Sequence, residues 1–234
     1  MMAYERRGDQ SRARNVLGPL NRVVADYGTK PHTPELVNAF QTVLWTTIGG
    51  ITGVEVVVPA VAESLDVIAK QERAGKGLIF VPVEYARQAQ RPLIAAAFRV
   101  LVDNEYVPGH WSMQEDNPVK NDLVHSGFRW VDMAIDAPHT GTNERQARDE
   151  AEKESSEGIN LSEYLLAGLY SKITIDRYLD QVRTWSRLLG SSRGGQVIFV
   201  GFYPDGFLRV NSNLDPQDRD DVFGARFSQG VKSA

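Results

Sequence analysis

The chain has 234 residues, 42% apolar and 24% charged, with a formal net charge of −4. These proportions describe a chain that builds a core rather than a disordered one, and the acidic balance argues against a nucleic-acid partner. With no cysteine in the sequence, disulfides, thiolate metal sites, iron–sulfur clusters and a cysteine nucleophile are excluded.

The first residues, Met1-Met2-Ala3-Tyr4-Glu5-Arg6-Arg7, do not read as the apolar core of a secretory leader. Arg6, Arg7, Arg12 and Arg14 read as a solvated helix face, interrupted by Asp9. Residues 8–27 are expected to form a helix broken at Gly18-Pro19, with Val16, Leu17, Leu20, Val23 and Val24 at helical spacing. Thr33-Pro34-Glu35 is a helix start: a capping hydroxyl, a proline at the first position and a carboxylate at the positive end of the dipole. The helix it opens presents Leu36, Val37, Phe40, Val43 and Leu44, and Gly49-Gly50 is expected to end it. Glu55-Val56-Val57-Val58 predicts a short strand, followed by a helix from about Ala60 to Arg73 and a strand over Leu78–Val81. Pro92 opens a compact apolar helix, Leu93–Leu101. The stretch Leu93–Val102 is the longest apolar run; it contains Arg99 and falls short of the ~20 residues of a bilayer span. No membrane partner is expected, and the expected location is cytoplasmic.

Residues 103–124 read as loop, and Phe128–Ile135 as a strand. The charged segment 143–157 reads as an exposed helix or linker between two parts, 1–142 and 158–234, that share one core. Asn160 and Glu163 have capping-box spacing for a helix running to about Ser171; a second helix is expected over Ile175–Leu189, closed by Gly190. Trp185, at helical spacing with Val182, Leu188 and Leu189, reads as core on that helix. A β-hairpin follows. Val197, Phe199 and Tyr203 face one way and Ile198, Val200 and Phe202 the other, and Pro204-Asp205-Gly206 supplies the turn before Phe207–Val210. The expected fold is α+β: a helix-rich N-terminal part with short strands, and a C-terminal antiparallel sheet ending in that hairpin. An α/β layer over 34–101 is the alternative.

Two glycine motifs fail their context tests. Gly190-Ser191-Ser192-Arg193-Gly194 matches the spacing of a nucleophile elbow, which requires a strand before and a helix after; the reading here has the reverse order. Ala74-Gly75-Lys76-Gly77 lacks the full phosphate-loop pattern and reads as a helix end. The region from His110 to His139 collects the potential ligands and acid–base groups. His110, His125 and His139 are the candidate metal ligands, Asp132, Asp136 and His139 the candidate catalytic groups, and Trp111, His110 and Asp116 the candidate ligand-binding residues. Asp132 and Asp136 would share a face of one strand. Trp111, Trp130 and Trp185, with Tyr164, Tyr170 and Tyr178, either line a groove or fill the core; Trp111 is the surface candidate.

Trp185-Ser186, the glycine-rich Gly190–Gly195, the hairpin with Asp205-Gly206 and the closing Gly224-Ala225-Arg226 resemble the end of C-type-lectin-like domains, including the formylglycine-generating-enzyme type. The resemblance covers about the last fifty residues and implies a fold, not an activity, because the cysteines of those families are missing. Through Phe128-Arg129-Trp130-Val131-Asp132 and Asp136-Ala137-Pro138-His139-Thr140 the chain is also similar to uncharacterised bacterial proteins, which implies no mechanism.

The expected function is therefore a non-enzymatic binding or interaction protein that presents the loops 103–126 and 211–223 on a rigid scaffold. No cofactor is expected. The alternative is a hydrolase that uses the His110–His139 polar region, either assisted by a divalent metal or by acid–base chemistry alone.

Overall fold

A computed structural model of the protein describes residues 17–231 apart from Glu115, Val182 and Leu214. The architecture is α+β. Helix α1 is described over 17–29; the part of the expected helix before it, and the arginines at 6–14, lie outside the described residues. Helix α2, Pro34–Thr52, starts as expected, with the Thr33 hydroxyl accepting the Leu36 N–H at 3.2 Å. It does not stop at Gly49-Gly50 but runs on to Thr52, where Gly53 closes it in the left-handed region at φ 74°. Gly49 serves packing instead, since a Cβ there would meet the Val54 carbonyl oxygen at 2.8 Å.

The valine run expected as a strand has no regular structure and pairs with no described strand. Val54, Val56 and Val58 pack on the core and Val57 is exposed, so the period of two reflects one-sided burial rather than a ladder. Helix α3 accordingly begins late, at Leu65–Arg73, capped by Ser64. Strand β1, Lys76–Val81, follows the turn at Gly75 (φ 77°). Then come α4, Val83–Ala86; α5, Arg91–Leu101; α6, Tyr106–Gly109; β2, Lys120–Asn121; and β3, Gly127–Asp132, which ends before the expected Ile135. The charged segment is helix α7, Glu144–Lys153, with a complete capping box from Asn143 and Gln146. It is not polar all round: Ala147 and Ala151, four apart, pack on Leu189, Ala225 and Phe227. Strand β4, Glu157–Gly158, leads into α8, Leu161–Ile175, whose Asn160–Glu163 capping box is formed.

The second helix, expected over Ile175–Leu189, does not form. Asp176 ends α8 in the left-handed region, Asp180 also has positive φ, and Trp185–Arg193 is strand β5. That strand is buried on both faces, so its apolar spacing carries no period that separates strand from helix. Trp185 is therefore half-buried on a strand, with the Arg209 guanidinium 5.1 Å over its ring, and Val182 lies outside the described residues. The remaining strands are β6, Gln196–Phe202; β7, Leu208–Asn211; β8, Phe223–Ala225; and β9, Phe227–Gly230. The expected hairpin is β6–β7, in register from Phe202↔Leu208 to Phe199↔Asn211. A tighter hairpin joins β5 to β6 through Gly194-Gly195, so the Ser191-Ser192 motif lies on a strand that turns into another strand.

One sheet has the order β1-β3-β9-β4, all antiparallel; the other runs β2-β5-β6-β7, with β8 parallel to β5. The outer edge of β1 is closed by a side chain: Gln41 of α2 donates to the Leu78 carbonyl and accepts the Phe80 N–H. The two sheets touch at a pair of glycines. A Cβ on Gly158 would strike Leu189, and one on Gly190 would come within 2.6 Å of the Gly158 carbonyl oxygen. The larger apolar cluster runs from Leu20 through Phe98 and Leu165 to Val210, and the smaller one gathers under α7.

At the centre sits a buried ion pair. Arg226 and Asp180 are both fully buried and meet at 2.8 Å. The guanidinium also donates to the Ser186 hydroxyl and to the carbonyls of Asp132, Ala134 and Ile135, while Asp180 accepts from Tyr164, Thr184 and Ser186. Arg226→Met is expected to lower the unfolding free energy by about 3–5 kcal/mol, because it leaves Asp180 buried without its partner. Urea denaturation measures this; a loss of less than ~1 kcal/mol would mean the pair contributes no more than a surface pair does.

Candidate functional site

A concavity of about 620 Å³ opens between the C-terminal turn of α1, the start of β1 and the last turns of α8. Its floor is aromatic. Tyr27, from α1, stacks on His32 at 3.7 Å between centroids, lies 4.6 Å from Phe40, and shares a short hydroxyl–hydroxyl hydrogen bond with Tyr170 of α8. Burial pushes both tyrosine hydroxyls above their ordinary value, so both remain protonated. The loop between α1 and α2 supplies Lys30, Pro31 and His32; α3 supplies Glu72; the opposite wall is Lys76, Gly77 and Met133. Gly77 has no side chain because Met133 occupies the place: a Cβ would meet its Cγ at 2.7 Å.

The His32 ring is committed at both nitrogens. Nε2 lies 2.7 Å from the Tyr27 carbonyl oxygen, which can only accept, and Nδ1 makes a short contact with Glu72 Oε1. One proton must lie between Nδ1 and Oε1, so the His32–Glu72 pair is neutral overall whichever group holds it. On the other wall Lys76 is 3.1 Å from Glu154 and 4.0 Å from Asp132.

Of the residues expected from the sequence to form one metal or acid–base region, Asp132 and His139 lie near each other around Phe227, Lys76 and Glu154, while His110, Trp111, Asp116 and His125 have other neighbours. His110 is buried beside Trp111; its Nδ1 accepts the Ser112 N–H at 3.2 Å and lies 2.8 Å from the Ser112 hydroxyl. Trp111 is half-buried under the Arg193 guanidinium at 5.0 Å, and Asp116 is exposed. His125 is buried between two carboxylates, with Nδ1 2.8 Å from Glu163; Nε2 is 3.2 Å from Glu157 but lacks hydrogen-bond geometry. Glu163 also receives Arg129, Ser228 and the Asn160 N–H. Asp132 is buried at the end of β3, where burial raises its carboxyl while the Phe227 N–H and Lys76 oppose the rise. Asp136 is exposed beyond the end of that strand, so the two aspartates do not form the expected shared face. His139, at φ 55°, stacks on Phe227 and lies 3.6 Å from Glu154. Among the described residues, no three His, Asp or Glu side chains converge as a metal site. Trp130, Tyr164, Tyr170 and Tyr178 are buried in the core, and of these Tyr170 also borders the cleft.

The expected loops are not free chain either. Fully buried Arg91 binds the Asn117 and Asn121 side chains and the Val119 carbonyl, holding 112–121, and Arg187 binds the Thr142 and Asp218 carbonyls, holding the second loop. Exposed aromatics gather at one end of the first loop: Tyr106 lies 5.6 Å from Phe207, which lies 6.0 Å from Tyr203.

Comparison with protein-family models, curated proteins and solved structures found no match. The cleft residues Tyr27, His32, Glu72 and Lys76 were not singled out in the sequence as site residues. The only local signal is the Gly28–Pro34 segment, a glycine and two prolines bracketing a lone histidine between two helices.

Burial lowers the His110 imidazole from its usual 6.5 to about 4. Between those values the unfolded chain takes up a proton that the folded chain refuses, so stability rises with pH across that window. His110→Asn is therefore expected to flatten the loss of stability between pH 6.5 and pH 4 relative to the parent. Urea midpoints at several pH values read the difference in slope, and parallel profiles would show that His110 does not titrate in this way.

Proposed function

We propose that the protein is a non-enzymatic binding protein whose ligand lodges in the cleft between α1, β1 and α8. The observation that carries this reading is the cleft itself. Its volume of about 620 Å³ falls within the range of small-molecule sites, and its aromatic and apolar walls carry a few fixed polar groups. Its histidine supports binding over catalysis: a general base needs a ring nitrogen within reach of the substrate, and both nitrogens of His32 are already engaged by the protein. The Tyr27–His32 stack and the Glu72 contact make the walls stiff before a ligand arrives.

Native mass spectrometry of gently purified protein tests the reading. A small molecule is expected to co-purify with the parent chain. Thr174→Trp, which fills the cleft from a half-buried position on α8, is expected to lose it while the thermal midpoint stays within a few degrees. A ligand retained by that variant would place binding elsewhere.

A second reading, docking of a partner on the loop at 103–126, is favoured by the exposed Tyr106, Tyr203 and Phe207. The C-type-lectin-like resemblance of the chain's end supports it only in presenting loops on a sheet. Tyr106→Ser with Phe207→Ser is expected to abolish such docking without unfolding the chain.

A further inference from the structure

We propose that the cleft takes an anion with an apolar body, a carboxylate head on a hydrocarbon or aromatic frame; this rests on the reading of the cleft as the ligand site. Two independent observations specify the head. The first is a surplus of protons. Tyr27 and Tyr170 bring two hydroxyl protons, and their mutual hydrogen bond uses one. Both side chains are more than nine-tenths buried and both line the cleft, so the second proton needs an acceptor, and none of the described residues accepts it there. A ligand oxygen supplies it.

The second is charge. The His32–Glu72 pair is neutral as a unit, and Lys30 and Lys76 are the other charged groups of the lining. Their counter-ions, Asp26 for Lys30 and Glu154 with the more distant Asp132 (4.0 Å) for Lys76, belong to residues outside it. Lys76 has three ammonium protons and makes one hydrogen bond, to Glu154, so it keeps donors for a second oxygen. A carboxylate, with two oxygens and four acceptor positions, satisfies the tyrosyl proton and the ammonium together. The body follows from the walls: the Tyr27 ring, Pro31, Met133 and the exposed Ile175 offer apolar surface and no counter-charge.

Isothermal titration with octanoate, 1-octanol and octylammonium separates the claims. Octanoate is expected to bind about tenfold or more tightly than octanol, the gain typical of hydrogen bonds to a charged group, and octylammonium least. The Tyr27→Phe/Tyr170→Phe double variant keeps both rings and is expected to narrow the preference for octanoate over octanol, because the hydrogen bond lost to a charged oxygen is the stronger one. Lys76→Gln provides a second route to the same loss of preference should the double variant fail to fold. Equal binding of octanoate and octanol to the parent, or preference for octylammonium, would overturn the anion inference and leave the cleft as the site. Failure of all three probes, or octanoate binding unchanged in Thr174→Trp, would instead remove the cleft reading and this inference with it.

Discussion

A buried arginine is the constraint on which the molecule depends. Arg226 lies between β8 and β9, fully enclosed, and its guanidinium ties three carbonyls of the 132–135 chain to Asp180 and Ser186. The 132–135 chain runs off the end of β3, where ladder pairing stops. A planar group with five donors satisfies several of its carbonyls at once, which a lysine could not do in that geometry. The negative charge of Asp180 removes the cost of enclosing the guanidinium alone. The contact joins the chain leaving β3 to the turn before β5 and to the junction of β8 and β9.

The same device recurs. Arg91 holds the 112–121 segment and Arg187 the 142 and 218 turns, each through carbonyl or amide oxygens. Long irregular stretches are thus anchored by cations reaching out from regular elements, and this leaves them fixed rather than free. Histidines, aspartates and tryptophans in the 103–139 stretch are spread among these anchored segments, which is why they do not gather into one site. The open concavity forms instead where three helices and the edge of a sheet meet without filling the space between them, around Tyr27 and Tyr170.

Glycine performs two different tasks. At Gly53 and Gly75 it supplies positive φ where a helix ends and the chain reverses. At Gly158 and Gly190 it removes a side chain so that one sheet can touch the other. The second use defeats a reading from local sequence: Gly190 reads as a helix stop, although it is fitted to Gly158 and Ile159 on another strand segment. Nothing in the adjacent residues records that neighbour.

The sequence by itself determined the α+β class, the starts of α2 and α8, the hairpin β6–β7 and much of the apolar core, because caps, turn residues and one-sided burial are properties of a few adjacent positions. It also determined what chemistry a cysteine-free chain excludes. Only the tertiary structure decided that Trp185–Arg193 is a strand, since burial on both faces erases the period that separates strand from helix. Only the tertiary structure brought Tyr27 to Tyr170, 143 residues apart, and His32 to Glu72. Such pairs are made by elements and loops that meet in space, and a single sequence carries no local signal of which distant side chain will stand opposite.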